Sequence, residues 1–224
     1  MPEILIYMLV ALGAYLLGSI PFGFLVAKAK GIDIRSAGSG NIGATNAMRV
    51  LGKPAGIFVL LADAAKGYIA CALIPPLVWN WFIPHHYGFF RYFFDTPVKN
   101  QMEFFLTAGI FAVLGHNYTC WLKFKGGKGI ATTTGVYLAL APWAVLIGLV
   151  VFLLTVLVTR YVSVGSIAAA ISLPVVVCLT QNGLLLDVVS VALGALAIYK
   201  HKSNIQRLRN GTENRITFKK KDSQ

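Results

Sequence analysis

Apolar residues are grouped along the chain into six long runs, separated by short polar segments. The runs cover 4–27, 54–79, 104–122, 130–159, 163–179 and 184–199. Most of them approach the roughly 20 residues that an apolar helix needs to cross a bilayer. The pattern therefore predicts an all-α integral membrane protein.

The fourth run is too long for a single crossing. Its residues, 130–159, carry no charge and would form a helix of about 45 Å, against a hydrocarbon core of about 30 Å. Ala141-Pro142 offers a break, because proline disrupts a helix interior. Splitting the run there predicts seven transmembrane helices. By the same reasoning, Pro75-Pro76 predicts the end of the second helix.

The basic residues support the seven-helix topology. With the N-terminus outside, nearly all of the 20 lysines and arginines fall on the cytoplasmic side; Arg91 and Lys99 lie outside, and Lys66 lies within the second run. A single helix over 130–159 would instead place the basic tail outside, against the positive-inside rule. We therefore predict an outer N-terminus and a cytoplasmic C-terminus.

Composition agrees with a membrane class. The chain is 57% hydrophobic and 12% charged, with a mean hydropathy of +0.70. Its three cysteines lie singly in or beside apolar runs, without a CxxC pair, so neither a disulfide framework nor a metal site is predicted. We interpret them as packing residues in a single membrane domain over 1–224.

The segment 123–135, KFKGGKGIATTTG, is a candidate anion site. Backbone amides at Gly126, Gly127 and Gly129 could converge on an oxyanion, a helix starting near Gly129 would add its dipole, and Lys128 would add a full charge. The alternative is a solvated turn between helices. The next pass, about 18 Å long, is too short to cross the bilayer. The loop should therefore lie below the headgroups, where irregular backbone lines polar cavities.

The loop after the first run is rich in small polar side chains and ends in Arg49, which could bind a phosphate bidentately. Alternatively, these side chains cap a short helix and Arg49 lies at the headgroups. Its GxGxxG pattern, 38–43, does not indicate a dinucleotide site, because no βαβ unit surrounds it. The small polar residues are Ser39, Asn41, Thr45 and Asn46.

Several buried or returning polar residues add to the pattern. Asp63 and Lys66 share a helix face and should face the interior, as a structural or a functional pair. His201 and Asn204 share a face after the last run and return to the cytoplasmic side, although a single histidine there is more often structural. Ser163 starts a helix, where capping is the alternative role.

Cations, hydroxyls and amides from separate segments indicate a phosphorylated polar substrate beside a lipid-like one. The absence of GxSxG and HxxxxD patterns argues against serine hydrolases and against acyltransferases with a His–Asp pair. A transporter or binder of organic phosphate anions is the alternative. No inverted repeat between the two halves is apparent, which counts against it.

Four ordered segments carry a family resemblance: GSGNIGATNAMRVLG (38–52), GHNYTCWLKFKGGKGIATTTG (115–135), RYVSVGSIAA (160–169) and HKSNIQRLRNGTE (201–213). They resemble the bacterial membrane glycerol-3-phosphate acyltransferases that use acyl phosphate. The resemblance implies acyl transfer from acyl phosphate to the 1-hydroxyl of glycerol 3-phosphate, giving lysophosphatidic acid and inorganic phosphate. The aromatic segment 79–99 is an insertion relative to the family.

The resemblance also implies an inner cell membrane location, a site facing the cytoplasm, no cofactor and no nucleic acid. A further partner would be the soluble enzyme that makes acyl phosphate. The expected catalytic residues are Ser39, Arg49, Lys128, His201 and Asn204. The expected substrate-binding residues are Asn41, Thr45, Asn46, Gly126, Gly127, Gly129 and Ser163.

Overall fold

The structure, a computed structural model, describes residues 3–82, 98–180 and 183–216. Within these ranges every regular element is helical, which confirms the all-α class. A short 3-10 helix, Cys120–Leu122, precedes α6. The α-helices are α1 (Glu3–Ser19), α2 (Phe22–Ala29), α3 (Ala44–Leu51), α4 (Lys53–Phe82), α5 (Val98–Asn117), α6 (Ile130–Leu140), α7 (Pro142–Thr159), α8 (Val162–Thr180), α9 (Leu184–Lys200) and α10 (Lys202–Arg209).

Four stretches of the described chain are long and apolar enough to cross a membrane. They are α1 with α2 as one stretch, Lys53–Trp79 within α4, α7 and α8. A fifth is added if α9 and α10, which are bent by 51° at their junction, are counted as one span. The integral membrane class follows from these helices, whereas the seven-helix count and the orientation of the termini stay predictions.

The predicted break in the fourth run is present. α6 ends at Leu140 and α7 begins at Pro142, with non-helical backbone (φ −151°, ψ 70°) at Ala141 between them. Pro142 stands in the first turn of α7, where a missing backbone N–H removes no helical hydrogen bond. The 11 residues of α6 span only about 16 Å.

Two predicted helix ends are wrong. Pro75-Pro76 does not end α4, which continues to Phe82. The fixed φ of proline is compatible with a helix, and packed membrane helices tolerate the lost hydrogen bonds. The third run was expected to be helical to 122, but α5 ends at Asn117, where the chain turns back toward α6. Most of the aromatic segment 79–99 lies outside the described residues.

α4 is the central helix of the bundle, because it packs against α1, α3, α5 and α6. Its contact with α6 is close enough for the two backbones to meet. A side-chain carbon at Gly67 would collide with the carbonyl of Thr132, and one at Gly135 would collide with the carbonyl of Ala64. Small residues allow such close approach between membrane helices. α7 and α9 complete the bundle by packing against α8.

Candidate functional site

A cavity of about 150 Å³ lies where the polar segments of the chain meet. It is bounded by the loop before α3, by α3, by the start of α6, by the start of α8 and by the α9–α10 junction. All of the predicted site residues line it except Gly126 and Gly127. Those that do are Ser39, Asn41, Thr45, Asn46, Arg49, Lys128, Gly129, Ser163, His201 and Asn204.

Lys128 reaches across the cavity to α10. Its ammonium donates a hydrogen bond of 2.5 Å to the side-chain oxygen of Asn204. Burial lowers the pKa of Lys128 to about 8; the carboxylate of Glu213 opposes this change, and the positive charges of Arg207 and Arg49 add to it. The cavity therefore holds a lysine whose charge is only partly compensated.

The N-terminus of α6 opens onto the same cavity. Gly129 precedes the helix with φ 84°, a left-handed conformation that glycine adopts readily. Ile130 and Ala131, in the first turn, line the cavity. Since amides of a first helical turn have no partner within the helix, α6 presents its positive end there. The predicted helix start near Gly129 is confirmed.

Gly126 and Gly127, which were predicted to bind an anion, make backbone contacts outside the cavity. Their amides donate to the carbonyls of Asn117 and His116, at 3.2 and 3.0 Å. They therefore fasten the loop to the C-terminal end of α5, and in this structure both amides are engaged there instead of facing the cavity. A side chain at Gly127 would collide with the imidazole of His116.

Asn46, predicted as a substrate contact, lines the cavity and uses its side chain within its own segment. Its side-chain oxygen accepts from the amide of Ser39 at 2.8 Å. Its side-chain nitrogen donates to the carbonyls of Ala37 and Asn41, at 3.0 and 2.9 Å. With only 2% of its surface exposed, Asn46 shapes the loop that carries Ser39. Ser39 and Asn41 of this loop and Thr45 of α3 are further polar residues that line the cavity.

Glu213 is a cavity residue to which the sequence analysis gave no role. It accepts hydrogen bonds from Ser163 (2.9 Å), Asn204 (2.7 Å) and Arg207 (2.7 Å). Burial alone would raise the pKa of this carboxyl, but the bonds from Asn204, Arg207 and Ser163 hold it below its usual value. Ser163 is thus a partner of Glu213 rather than a helix cap.

The segment that carries Glu213 returns to the bundle after α10. The amide of Ile216 donates to the carbonyl of Arg160 at 2.8 Å, next to the start of α8. Glu213 and Arg207 both lie in the segment 201–213, which carries the family resemblance. The sequence therefore contained a reason to consider them as site residues. Ser163, however, is 50 positions away from Glu213, and no local pattern indicates that contact.

His201 lies between α9 and α10, and 2% of its surface is exposed. Its ring nitrogen Nδ1 is 2.7 Å from the carbonyl oxygen of Ala197. A carbonyl can only accept, so Nδ1 carries the hydrogen in this contact. In the neutral imidazole the other nitrogen, Nε2, is then a hydrogen-bond acceptor.

Comparison with known proteins assigns the chain to a family. A family model described as glycerol-3-phosphate acyltransferase matches residues 8–211. The chain belongs to this family. The glycerol-3-phosphate acyltransferase of Geotalea daltonii is 48% identical to it over 204 residues, covering 91% of this chain and 94% of that relative. The one from Geobacter metallireducens is 49% identical over 212 residues, covering 95% and 98%.

Solved structures support the same assignment. Two crystal structures of PlsY, an integral membrane glycerol 3-phosphate acyltransferase, each match 94% of this chain. The glycerol 3-phosphate form has a TM-score of 0.79 at 38% identity and is covered over 96% of its length. The lysophosphatidic acid form has a TM-score of 0.76 at 37% identity, with 95% covered. The family resemblance is thereby confirmed, and this acyltransferase is an integral membrane protein.

One side of the cavity of this acyltransferase includes Asp63, which belongs to a buried ion pair. The Lys66 ammonium is 2.8 Å from the Asp63 carboxylate, as the helix spacing predicted, and it also donates to the carbonyl of Ile20 between α1 and α2. His116 of α5 lies 3.5 Å from the same carboxylate. The pair therefore joins three segments of the bundle, while Asp63 and His116 also line the cavity.

Proposed function

We propose that this chain transfers a fatty acyl group from acyl phosphate to the 1-hydroxyl of glycerol 3-phosphate. Its family already makes it a glycerol-3-phosphate acyltransferase that acts in phospholipid synthesis. The proposal adds the donor, the lysophosphatidic acid product and a cytoplasm-facing site in the inner membrane. A soluble enzyme that makes acyl phosphate would supply the donor.

The observation that carries the proposal is the mixed lining of one cavity. Its cations and hydroxyls suit phosphate groups, because charge-assisted hydrogen bonds to phosphate are short and strong. The same cavity is lined by the apolar side chains of Leu60, Phe152 and Val162. A site with both kinds of lining suits one substrate that is a small phosphate ester and another that carries an acyl chain.

The chemistry needs few groups from the protein. Acyl phosphate is an activated mixed anhydride: the glycerol hydroxyl oxygen bonds to its carbonyl carbon, the carbon–oxygen bond to phosphate breaks, and inorganic phosphate leaves. No acyl-enzyme is required. The protein must hold two phosphates, orient the hydroxyl and stabilise the oxyanion. We propose that phosphate oxygens bind to Lys128, Ser39, Arg49 and the N-terminus of α6. Gly129, directly before this helix, lets the phosphate approach its first amides.

Glycerol 3-phosphate is assigned to the α9–α10 junction. Asn204 and His201 would orient it there, next to Ser163, and Asn41 and Thr45, which line the same cavity, would add polar contacts. In the structure Lys128 donates to a neutral amide oxygen. Binding of a phosphate would therefore replace the neutral partner of Lys128 with a charged one.

The proton released by the hydroxyl has two candidate acceptors. Nε2 of His201 is one, because Nδ1 is engaged by the carbonyl of Ala197. A substrate phosphate, which titrates near neutral pH, is the other.

The test is a reaction with purified protein in lipid, given acyl phosphate and radiolabelled glycerol 3-phosphate and scored for lysophosphatidic acid. We expect product with acyl phosphate and none with acyl-coenzyme A. A variant with all three cysteines replaced by Ala should keep its activity, because the proposed reaction uses no thiol; these residues are Cys71, Cys120 and Cys178. Robust turnover with acyl-coenzyme A alone would overturn the proposed donor.

A further inference from the structure

Lys200, the last residue of α9, makes a contact outside the cavity. Its ammonium donates a 2.9 Å hydrogen bond to the carbonyl oxygen of Asn117 and lies 4.2 Å from the centre of the Tyr118 ring. Lys200 does not line the cavity, although it directly precedes His201, which does. The contact therefore lies behind the α9–α10 junction.

The carbonyl of Asn117, which Lys200 contacts, also accepts a hydrogen bond from the loop that carries Lys128. Asn117 is the last residue of α5, and its carbonyl oxygen accepts from the amide of Gly126 as well as from Lys200. Carbonyls in the last turn of a helix have no helical partner and carry partial negative charge, so a cation and an amide both stabilise them. One oxygen thus joins α9 to the loop that ends in Lys128.

The two halves of the site are therefore connected both inside the cavity and behind it. Inside the cavity, Lys128 is bonded to Asn204, and this bond must change when Lys128 contacts a phosphate. Behind the cavity, the connection from Lys200 through Asn117 to Gly126 involves no group that we assign to substrate. The rear connection can therefore persist while substrate is bound, as can the buried 2.7 Å hydrogen bond between Tyr137 of α6 and Ser190 of α9.

We propose that Lys200 is a positioning residue, which keeps the Lys128 loop in register with His201 and Asn204. It acts through the backbone of Asn117 and touches no substrate. The kinetic part of this inference rests on the proposed function, whereas its structural part does not.

The chain offers a matched control two residues away. Lys202 is exposed, and its ammonium lies 5.0 Å from the centre of the Tyr199 ring. Like Lys200 it is a lysine near an aromatic ring at the end of α9. The structure records no contact between Lys202 and the carbonyl of Asn117. A general effect of interfacial charge should therefore appear equally when either lysine is replaced.

The experiment compares Lys200→Met, Lys200→Gln, Lys200→Arg and Lys202→Met in lipid, first by hydrogen–deuterium exchange without substrate. Amide exchange across 123–129 should rise at least several-fold in Lys200→Met and Lys200→Gln, because Gly126 shares its acceptor with the lost ammonium. Lys200→Arg, which keeps the charge, and Lys202→Met should exchange like the wild type. Equal exchange in all four variants would overturn the inference.

Kinetics provide the second readout. The KM for glycerol 3-phosphate should rise roughly tenfold in Lys200→Met, because this variant loses a charge-assisted bond that orients other groups. Lys200→Arg keeps the charge and should have the KM of the wild type. A lowered melting temperature with unchanged KM in the folded enzyme would mean a merely structural role and would reject the proposal. If Lys200→Met does not fold, Lys200→Gln and Lys200→Arg decide, and equal KM values for these two contradict the proposal.

The two proposals can fail separately. A wild-type protein that makes no product from acyl phosphate would reject the proposed donor. The difference in amide exchange between Lys200→Met and Lys202→Met would still support the positioning role, because that measurement uses no substrate.

Discussion

The ammonium of Lys128 and the side-chain oxygen of Asn204 are 2.5 Å apart, although 76 positions separate the two residues in the chain. This contact joins the loop before α6 to α10 across the cavity. Because the partner of Lys128 is a neutral amide, the positive charge of the lysine is available to an anionic substrate.

The lowered pKa of Lys128 predicts a basic limb in the pH profile. The ammonium is present below pH about 8 and is lost above it, so kcat/KM should fall as the pH rises through that value. A bound phosphate favours the charged form, so kcat should fall only at higher pH. Lys128→Arg stays charged and should abolish the limb. An identical limb in Lys128→Arg would assign it to another group.

Replacement of Arg49 should impair activity even when the new residue is lysine. Loss of one charge-assisted contact costs about 1.5–3 kcal/mol of binding, and up to roughly 10²–10³ in rate if the contact tightens in the transition state. If the contact is bidentate, Arg49→Lys should be nearly as damaging as Arg49→Ala, because lysine keeps the charge without the fork. Lys53→Ala, which changes a nearby exposed cation, is the control for net charge. Full activity in Arg49→Lys would exclude a bidentate role.

His201→Ala should separate the two candidate bases. If Nε2 of His201 accepts the proton, we expect the acidic limb of the chemical step to vanish or move, because that limb reports the base. The measurement is the pH dependence of single-turnover rates in folded protein. An acidic limb that persists while the KM for glycerol 3-phosphate rises would make His201 a positioning residue and a substrate phosphate the base.

The predicted topology can be tested with single cysteines in a variant without native cysteines. Lys202→Cys should react with a membrane-impermeant thiol reagent only from the cytoplasmic side, and Gly183→Cys only from outside, because α9 separates them. Both positions are exposed, whereas Ser163 is buried and would label poorly. Labelling of Lys202→Cys from the outer side alone would invert the topology.

The features that local chemistry determines could be predicted from the sequence. Pro142 lacks a backbone donor and Gly129 accepts a left-handed φ, so the break before α7 and the start of α6 were both predictable. Asp63 and Lys66 were predictable as a pair because three residues place them on one helix face.

The features that distant contacts determine could not be predicted in this way. Gly126 and Gly127 satisfy a pattern for anion binding, but carbonyls at the end of α5 already accept their hydrogen bonds. Asn46 has the same donors and acceptors as a substrate contact and uses them on its own loop. The role of Glu213 depends on Ser163, which lies 50 positions earlier in α8.

The contact between α4 and α6 limits how a lipid can approach the site. At Gly67 and Gly135 the two helix backbones meet so closely that not even a methyl group fits between them. An acyl chain diffusing in the bilayer therefore has no lateral passage through this seam. A side chain at either glycine would force the two backbones apart, so the closed seam depends on both residues staying glycine, and an acyl chain must enter elsewhere along the perimeter.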